Sequence, residues 1–347
     1  MTTLAPELST RFSDRLAASI LSRRSAVCVG LDPDLDSMPP AFVAETAARG
    51  AADEARPAMS RPTDGEALAA ACCAGYCRRI IAAVADVAAA VKPQAAYFEQ
   101  YGAAGWRALC EVVRVAHEHE LPVIVDVKRG DIAATAQAYA NAVFGGAPLP
   151  GGGRGAGLDA DAVTVNPYMG ADSLEPFVRR CDQGRGIFVL TRTSNPGAAD
   201  LQERHVDPQQ RGAGVAGRHD AATTTGDHGA RPLYLVVADM VSGLGDGAVG
   251  ERGYVDVGAV AGATAPDALR AVREALPRSF ILVPGIGAQG GEAEALRGLS
   301  AGEAGGLVVN SSRSILYAWR RRGGDFASAA AQACEELRDR LAGVLWP

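Results

Sequence analysis

Eight short β-like runs, separated by segments with helical periodicity, constrain the fold of this 347-residue chain more than any other feature. Each run is rich in apolar and β-branched residues and ends in polar or glycine-rich sequence. The runs are residues 26–32, 89–94, 122–128, 162–167, 186–193, 257–264, 280–287 and 306–313. Alternating strands and helices form right-handed βαβ units, and eight such units close into a barrel. We therefore predict an α/β fold, a TIM (β/α)8 barrel with surface insertions, as a single domain over residues 1–347.

Three segments add length to this barrel without the apolar residues that a core needs. Residues 39–66 are rich in Ala and Pro, residues 145–160 are rich in Gly and Pro, and residues 196–231 are polar. Segments of such composition bury too little apolar surface to fold alone. We therefore expect three surface insertions on one domain, and we expect residues 204–230 to be disordered or weakly packed.

The composition argues against several classes of protein. A formal net charge of -6 lacks the basic surface that nucleic acids and anionic membranes attract. The most apolar segment, residues 80–91, contains Asp86 and is too short to span a bilayer. Seven cysteines without paired spacings suit a reducing compartment. We therefore expect a cytoplasmic protein whose partner is a small molecule, with no nucleic acid and no membrane.

The third run continues into the sequence "DVKRGDI", which places an acid, a base and a second acid within six residues. Asp126 and Lys128 are two residues apart, so both side chains point to the same face of a strand. At the carboxyl end of a barrel strand, that face borders the mouth where active sites lie. An ammonium group beside a carboxylate stays protonated and fixed, which makes Lys128 a candidate proton donor. A purely structural ion pair would show the same spacing.

Further charges follow the neighbouring runs. Asp32 and Asp34 follow the first run, and Lys92 lies in the second. A buried lysine needs an acidic partner, and Asp32 and Asp126 are the nearest candidates. Alternatively, one or both of the acids after the first run only stabilise a turn. Asp131 also has two interpretations, since it precedes a helix that its side chain could cap.

The seventh and eighth runs end in "PGIGAQGG" and "NSSR", which indicates a phosphate site. The loops after these two strands form the usual phosphate site of a TIM barrel. Gly285 and Gly290 allow the backbone to approach an anion closely, and Gln289 can donate its amide. Arg313 can bind phosphate oxygens through two parallel hydrogen bonds.

The histidines and cysteines do not form the pattern of a metal site. His117 and His119 lack the i, i+4 spacing of a helical zinc pair. The cysteines of "CCAGYC" lack a second pair of ligands. We therefore expect no metal.

The string D-x-K-x-x-D-I in "DVKRGDI" resembles the signature of the orotidine 5′-phosphate decarboxylase family. The Gly-Asp-Ile-Ala version, together with "LTRTSNPGA", is similar to the longer bacterial branch of that family. "GLDPD", "VKPQAAYFE", "TVNPYMG" and "VPGIGAQGG" follow in the expected order, and the match covers all eight runs but not the insertions. The resemblance implies decarboxylation of orotidine 5′-phosphate, the last step of UMP synthesis, without a metal or an organic cofactor.

Carried over residue by residue, the resemblance implies a role for each matching position. Lys128 would protonate C6 of the pyrimidine, and Asp126 would face the substrate carboxylate. Asp131, with Ile132 and Thr135, would cross the interface of a homodimer into the neighbouring subunit's active site. The other implied substrate contacts are Asp32 and Lys92 at the ribose, Ser194 at the pyrimidine amide edge, Gln289 and Arg313 at the 5′-phosphate, and Pro284, Gly285, Gly290 and Asn310 at the ends of the last two strands.

Two other functions stay open at this point. A magnesium-dependent sugar-phosphate lyase or aldolase of the same barrel suprafamily, such as hexulose-phosphate synthase, resembles the D-x-K-x-x-D string. Ser194, Arg313 and the isoleucine after Asp131 favour the decarboxylase. The chain could also be a barrel that binds a phosphate ligand without catalysis, but the complete set of acids and bases argues against that function.

Overall fold

The structure, a computed structural model, describes residues 11–52, 64–207, 229–246, 249–286 and 292–346. The strands are β1 (Val27–Leu31), β2 (Ala90–Pro93), β3 (Ile124–Arg129), β4 (Ala162–Val165), β5 (Gly186–Arg192), β6 (His205–Val206), β7 (Arg231–Pro232), β8 (Val255–Ala261), β9 (Ser279–Val283) and β10 (Leu307–Ser311). The helices are α1 (Phe12–Arg23), α2 (Pro40–Ala52), α3 (Asp64–Val84), α4 (Ala96–Glu99), α5 (Gly102–Glu118), α6 (Ala133–Phe144), α7 (Ala171–Val178), α8 (Ala199–Gln202), α9 (Leu233–Gly245), α10 (Pro266–Ala275), α11 (Arg313–Leu316), α12 (Trp319–Arg322) and α13 (Phe326–Leu345).

Eight of these strands form a closed parallel barrel, which confirms the predicted TIM architecture. Their order is β2, β1, β10, β9, β8, β5, β4 and β3. The two ends of this order also meet, because Val91 N donates to Pro122 O at 3.0 Å and Ala95 N donates to Asp126 O at 3.2 Å. Each of the eight predicted runs overlaps one barrel strand. Helices lie outside the strands, as the alternating pattern predicted.

Helix α1 closes the amino-terminal end of the barrel. Phe12, Leu16 and Ile20, which the sequence places on one face, are all buried against side chains of the barrel interior. Phe12 packs edge to face on Phe188, with 6.0 Å between the ring centroids. Gly186 makes room for this contact, since a Cβ there would lie 2.1 Å from the Phe12 ring. This end of the barrel is packed, so the carboxyl ends of the strands are where a ligand enters.

The first predicted insertion, residues 39–66, contains the packed helix α2. Phe42 on this helix packs edge to face on Tyr76 and Phe326, with centroid distances of 5.7 and 5.3 Å. The expectation of a segment without core contacts is therefore wrong at Phe42, because one aromatic side chain anchors an otherwise Ala-rich helix. Residues 53–63 lie outside the described residues.

Each of the other two insertions contains a short antiparallel pairing. Residues 145–160 form a hairpin, in which Pro148 pairs with Arg154 and Gly146 N donates to Gly155 O at 2.7 Å. In the third insertion, β6 pairs with β7. Residues 208–228 lie outside the described residues, so the expectation for residues 204–230 stays a prediction.

One stretch of α3, Gly65–Val84, has the length and apolar composition needed to cross a membrane. More than half of its most apolar window is buried inside the protein. Its side chains Tyr76 and Ile80 belong to the main hydrophobic core. These are features of a helix in the outer layer of a barrel, where one face packs on the strands.

Candidate active site

Asp126 is the centre of a hydrogen-bonded cluster at the carboxyl ends of β2, β3 and β4. Its Oδ2 accepts from Lys92 Nζ at 2.9 Å and from Gln94 Nε2 at 3.0 Å. Its Oδ1 accepts from Lys128 Nζ at 2.6 Å and from Thr164 Oγ1 at 2.7 Å. Four donors therefore fix this carboxylate in one orientation and favour its ionised form. We call Lys92, Asp126 and Lys128 the acid–base cluster.

Neighbouring charges set the ionisation of this cluster. Burial alone would raise the pKa of the Asp126 carboxyl group, but the ammonium groups of Lys92 and Lys128 hold that pKa well below its usual range. Burial alone would lower the pKa of Lys92, but Asp126 and Asp32 raise it well above its usual range. Of the two predicted partners of Lys92, Asp126 makes the hydrogen bond, and Asp32 acts through its charge. Asp126 and Lys92 are therefore both charged at neutral pH.

The two lysines of the cluster differ in their access to the barrel mouth. The side chain of Lys92 is only 6% exposed, whereas that of Lys128 is 47% exposed. An ammonium group has three donors, and among the described residues Lys128 Nζ donates only to Asp126. Lys128 is therefore the more accessible cation of the cluster, and its two remaining donors are available to a bound molecule.

A bulge in β3 shapes this part of the site. Val125 pairs with Val163, and Arg129 pairs with Val165. Three residues of β3, 126–128, therefore lie opposite one residue of β4, Thr164. Lys128 has a φ of 45°, in the left-handed region, and such a backbone costs on the order of 1–3 kcal/mol for a residue with a side chain. Lys128 N donates to Thr164 Oγ1 at 3.0 Å, which stabilises this conformation. Bulges of this kind are common beside active sites, where they redirect a side chain.

The two acids that follow β1 have different contacts. Asp34 stabilises the turn, because its carboxylate accepts from Ser37 Oγ at 2.7 Å and its N–H donates to Tyr317 Oη at 2.8 Å. Asp32 contributes its backbone carbonyl, which accepts from Tyr317 Oη at 2.7 Å. Its Oδ1 is buried and has no hydrogen-bond partner among the described residues. The turn interpretation therefore holds for Asp34, while Asp32 keeps an unsatisfied oxygen at the mouth.

The second acid of the motif does not cap the following helix. Helix α6 begins at Ala133 with Ile132 in the N-cap position. Asp131 Oδ1 accepts from the adjacent Ile132 N–H at 2.8 Å, so the capping alternative is wrong. Ile132 is 56% exposed, and Thr135 is exposed as well. The three predicted interface residues are thus accessible at the surface of this subunit.

The substrate contacts predicted at the last two strands lie at the end of β10 or in the residues that follow β9 and β10. Gly285 has a φ of 99°, a backbone conformation that favours glycine. Asn310 is buried, and its Oδ1 has no hydrogen-bond partner among the described residues. Arg313 begins α11, is exposed, and forms no ion pair within the described part of the chain. Gln289 and Gly290 lie outside the described residues.

Residues directly after β8 form hydrogen bonds with the loops that contain Ser194 and Pro284. Ser194 O accepts from Thr264 Oγ1 at 3.1 Å, and Pro284 O accepts from Ala263 N at 3.0 Å. A Cβ at Gly262 would lie 2.8 Å from Ser194 Cα, so glycine allows the two loops to pack together. The long insertion that follows Ser194 therefore starts from a fixed position on the barrel.

Three polar residues of this site are not among the sequence-based candidates: Gln94, Thr164 and Tyr317. Gln94 lies two residues after Lys92, so the same-face rule that links Asp126 to Lys128 also predicts it. Thr164 is a polar residue within the otherwise apolar strand "AVTV", which is a weaker signal. No local pattern connects Tyr317 with the β1 loop.

The predicted site residues that the structure describes thus occupy one end of the barrel, and three of them are in direct contact. Lys92, Asp126 and Lys128 form the hydrogen-bonded cluster, and Asp32 lies within electrostatic reach of Lys92. In the part of the chain that the structure describes, no group of three His, Cys, Asp or Glu side chains is arranged to hold a metal ion.

Known proteins share this sequence and architecture. The model of the orotidine 5′-phosphate decarboxylase / HUMPS family matches residues 25–322. The chain is 41% identical to the orotidine 5′-phosphate decarboxylase of Rhodopirellula baltica over 93% of each chain. It is 40% identical to that of Roseiflexus castenholzii, over 96% of this chain and 98% of that one. The structure of Leishmania donovani OMP decarboxylase matches with a TM-score of 0.64 and 33% identity, over 96% of this chain and 99% of that one. The chain therefore belongs to the orotidine 5′-phosphate decarboxylase / HUMPS family.

Proposed function

We propose that the chain converts orotidine 5′-phosphate to uridine 5′-phosphate and CO2, the last step of UMP synthesis. The observation that carries this function is the ammonium group of Lys128, held 2.6 Å from Asp126 and half exposed at the open end of the barrel. The two curated relatives and the matching Leishmania structure all carry the name of this decarboxylase. None of them supports the alternative of a sugar-phosphate lyase.

The chemistry requires a fixed cation next to C6 of the pyrimidine. When the bond between C6 and the carboxylate breaks, the electron pair stays on C6 in an sp2 orbital, where no adjacent π system delocalises it. The Lys128 ammonium group stabilises this developing carbanion by its charge and then donates the proton that forms the new C–H bond. Asp126 keeps the ammonium group in position throughout, and Lys92 on its other side keeps Asp126 ionised. The residues of the chain thus supply the proton and the electrostatic stabilisation.

Unsatisfied polar atoms support the proposed contacts with the ribose. Asp32 Oδ1 and Asn310 Oδ1 are buried acceptors without donors in the described part of the chain. A buried acceptor of this kind costs free energy until a donor reaches it. The hydroxyl groups of a ribose are such donors, so we assign Asp32 to a ribose contact, together with Lys92, and Asn310 to the substrate more generally.

We assign the 5′-phosphate to the ends of β9 and β10. Arg313 is exposed and unpaired among the described residues, so its guanidinium group is available to an anion. Gly285 and Pro284 border the same end of the barrel, and we keep Gln289 and Gly290 as further phosphate contacts and Ser194 as the contact with the pyrimidine amide edge. Binding energy from the phosphate, far from C6, favours closure of the site around the substrate.

We also propose a homodimer with shared active sites. Three exposed apolar side chains, Ile132, Tyr168 and Met169, follow β3 and β4, with exposures of 56%, 79% and 43%. Met169 lies beside the "DVKRGDI" segment, since a Cβ at Gly130 of that segment would be 3.6 Å from Met169 Cε. Large apolar side chains gathered at one surface are typical of a protein interface. A partner that covers them also lies next to Asp131 and Thr135, which supports their place in the neighbouring subunit's site.

A cytoplasmic location completes the proposal. All seven cysteines are free thiols, and six of them are buried. Free thiols without disulfides suit a reducing compartment.

An absorbance assay with purified protein and orotidine 5′-phosphate tests this function. We expect stoichiometric formation of UMP and CO2, at a rate that excess EDTA does not change. Turnover that stops in EDTA and returns with Mg²⁺ would favour the lyase alternative, to be checked with sugar phosphates. Tight binding of the substrate without turnover would instead indicate a non-catalytic binding barrel.

A further inference from the structure

A cleft of 690 Å³ is lined by residues that precede β4 and β5 in the chain, whereas the acid–base cluster lies at the carboxyl ends of the strands. It is bordered by the second half of α6, the end of α7 with the residues that follow it, and the hairpin of residues 145–160. The polar side chains that line it are Gln137, Asn141, Arg154, Arg179, Arg180 and Gln183. The proposed decarboxylation uses none of them.

Two arginines of this cleft have no carboxylate partner among the described residues. Arg180 donates to two neutral side chains, Asn141 Oδ1 and, at 2.9 Å, Gln183 Oε1. Arg154 donates to the backbone carbonyl of Gly146 at 3.0 Å. The Arg180 guanidinium group also lies against Gly146, since a Cβ there would be 3.1 Å from its two terminal nitrogens. The absence of a side chain at Gly146 thus allows both cations to lie beside the same residue.

The charges around this pair are not balanced locally. Arg179 and Arg185 nearby each form an ion pair with an acid, whereas Arg154 and Arg180 form none within the described ranges. Burial, together with the charges of Arg154 and Arg185, lowers the pKa of Arg180. Adjacent like charges destabilise one another unless an anion lies between them. Two neighbouring arginines without a paired acid in the described part of the chain contrast with the formal net charge of -6.

We propose that this cleft binds a small phosphate-bearing anion at a site separate from the active site. Guanidinium groups match phosphate oxygens through parallel hydrogen bonds, and the amides of Gln137 and Gln183 can add neutral donors. The volume falls within the range of about 300–1,000 Å³ that is usual for small-molecule sites. The cleft therefore accommodates a di- or polyphosphate or a phosphate ester up to the size of a nucleotide.

Isothermal titration calorimetry with inorganic pyrophosphate tests this site. The titrations use Arg313→Ala as the background, because that change removes the phosphate contact that we assign to the active site. We expect one pyrophosphate per subunit with a submillimolar dissociation constant at low salt. Arg154→Ala and Arg180→Gln should each weaken binding by about tenfold or more, since each removes a charge-assisted contact. The matched control is Arg107→Ala, which removes an exposed cation on α5 outside the cleft.

Arg180 also connects α6 to the residues after α7, so Arg180→Gln could weaken the fold. Arg154→Ala decides in that case, because among the described residues the Arg154 side chain makes a single hydrogen bond, to the backbone of Gly146. The proposal is overturned if pyrophosphate does not bind, or if the cleft variants bind it as well as the Arg107→Ala control does. Decarboxylation of orotidine 5′-phosphate by the wild-type protein is measured in parallel, so that failure of the cleft and failure of the proposed function are told apart.

Discussion

Thr164 on β4 donates its hydroxyl proton to Asp126 on β3, with 2.7 Å between Thr164 Oγ1 and Asp126 Oδ1. The hydroxyl oxygen of Thr164 also accepts a hydrogen bond from the backbone N–H of Lys128, at 3.0 Å. One hydroxyl group therefore holds both the carboxylate that positions the Lys128 ammonium group and the left-handed backbone of Lys128 itself. We infer that Thr164 is a positioning residue of the acid–base cluster.

The substitution Thr164→Val tests this inference, since valine keeps the shape of threonine without its hydroxyl group. We expect kcat to fall by about tenfold to a hundredfold, which corresponds to about 1.4–2.7 kcal/mol of barrier, because Asp126 and the Lys128 backbone both lose a hydrogen bond. KM should change much less, since Thr164 does not reach the proposed phosphate contacts. Steady-state kinetics give both constants. The control Thr164→Ser restores the hydroxyl group and should recover most of kcat; equal losses in both variants would show that packing alone is responsible.

Lys128→Ala should remove nearly all turnover, because the ammonium group is assigned both charge stabilisation and proton transfer. Its fold should persist, as the side chain is half exposed. Binding of UMP, measured by calorimetry, separates loss of chemistry from loss of the site. Retention of more than about a tenth of kcat, less than about 1.4 kcal/mol of barrier, would contradict the role of Lys128.

Arg313→Ala should weaken the binding of UMP by several kcal/mol, since a charge-assisted contact with the phosphate is lost. Uridine, which lacks the phosphate, serves as the matched ligand and should bind the variant and the wild type alike. Calorimetry with both ligands checks this. An equal loss for the two ligands would identify Arg313 as a structural residue.

A histidine away from the active site should make stability depend on pH. His117 Nε2 lies 2.9 Å from Asp161 Oδ2, and this hydrogen bond, against the effect of burial, raises the pKa of His117 above its ordinary value of 6.5. The folded state therefore binds the proton more tightly than the unfolded state does. The resulting stabilisation is complete below the unfolded pKa and is lost as the pH rises through the raised folded pKa.

Urea unfolding of wild type and His117→Gln at a series of pH values between about 6 and 9 measures this effect. The difference in unfolding free energy between them should shrink as the pH rises. The matched substitution His119→Gln, at a neighbouring histidine, controls for the loss of an imidazole side chain. A constant difference between wild type and His117→Gln across the series would show that His117 contributes no proton linkage.

The sequence predicts the strands and the contact between Asp126 and Lys128 because both depend on local periodicity. Strand side chains alternate every two residues, so an acid and a base at that spacing share a face wherever the strand lies. The same rule, applied to Lys92, would also have found Gln94. These features need no knowledge of how distant segments pair.

The bulge and its hydroxyl contact depend on such pairing and could not be predicted in the same way. Thr164 is 36 residues away from Lys128 in the chain, and only the register between β3 and β4 brings them together. Tyr317 holds the loop after β1 from 285 residues away. The capping interpretation of Asp131 was wrong for a related reason. The path of the backbone sets the first residue of a helix, and α6 begins at Ala133, which makes Ile132 and not Asp131 the N-cap residue.

The proposed sharing of active sites across a dimer leads to the last prediction. If Lys128 acts in its own subunit and Asp131 reaches across a two-fold interface, each site of the dimer needs one residue from either chain. Homodimers of Lys128→Ala and of Asp131→Ala should then each be nearly inactive, because every site lacks one of the two groups. An equimolar mixture that is unfolded and refolded should contain about half mixed dimers, by random pairing of equivalent subunits.

In each mixed dimer one site carries both substitutions and the other carries neither. Activity should therefore return to about a quarter of the wild-type value per total subunit, an estimate that follows from isologous symmetry. Mass spectrometry of the intact dimers confirms the mixing, and each parent refolded alone is the control. If the mixture contains mixed dimers and stays as inactive as its parents, Asp131 acts within its own chain. Because its carboxylate contacts only the adjacent Ile132 N–H among the described residues, that result would require a substrate contact from the same subunit.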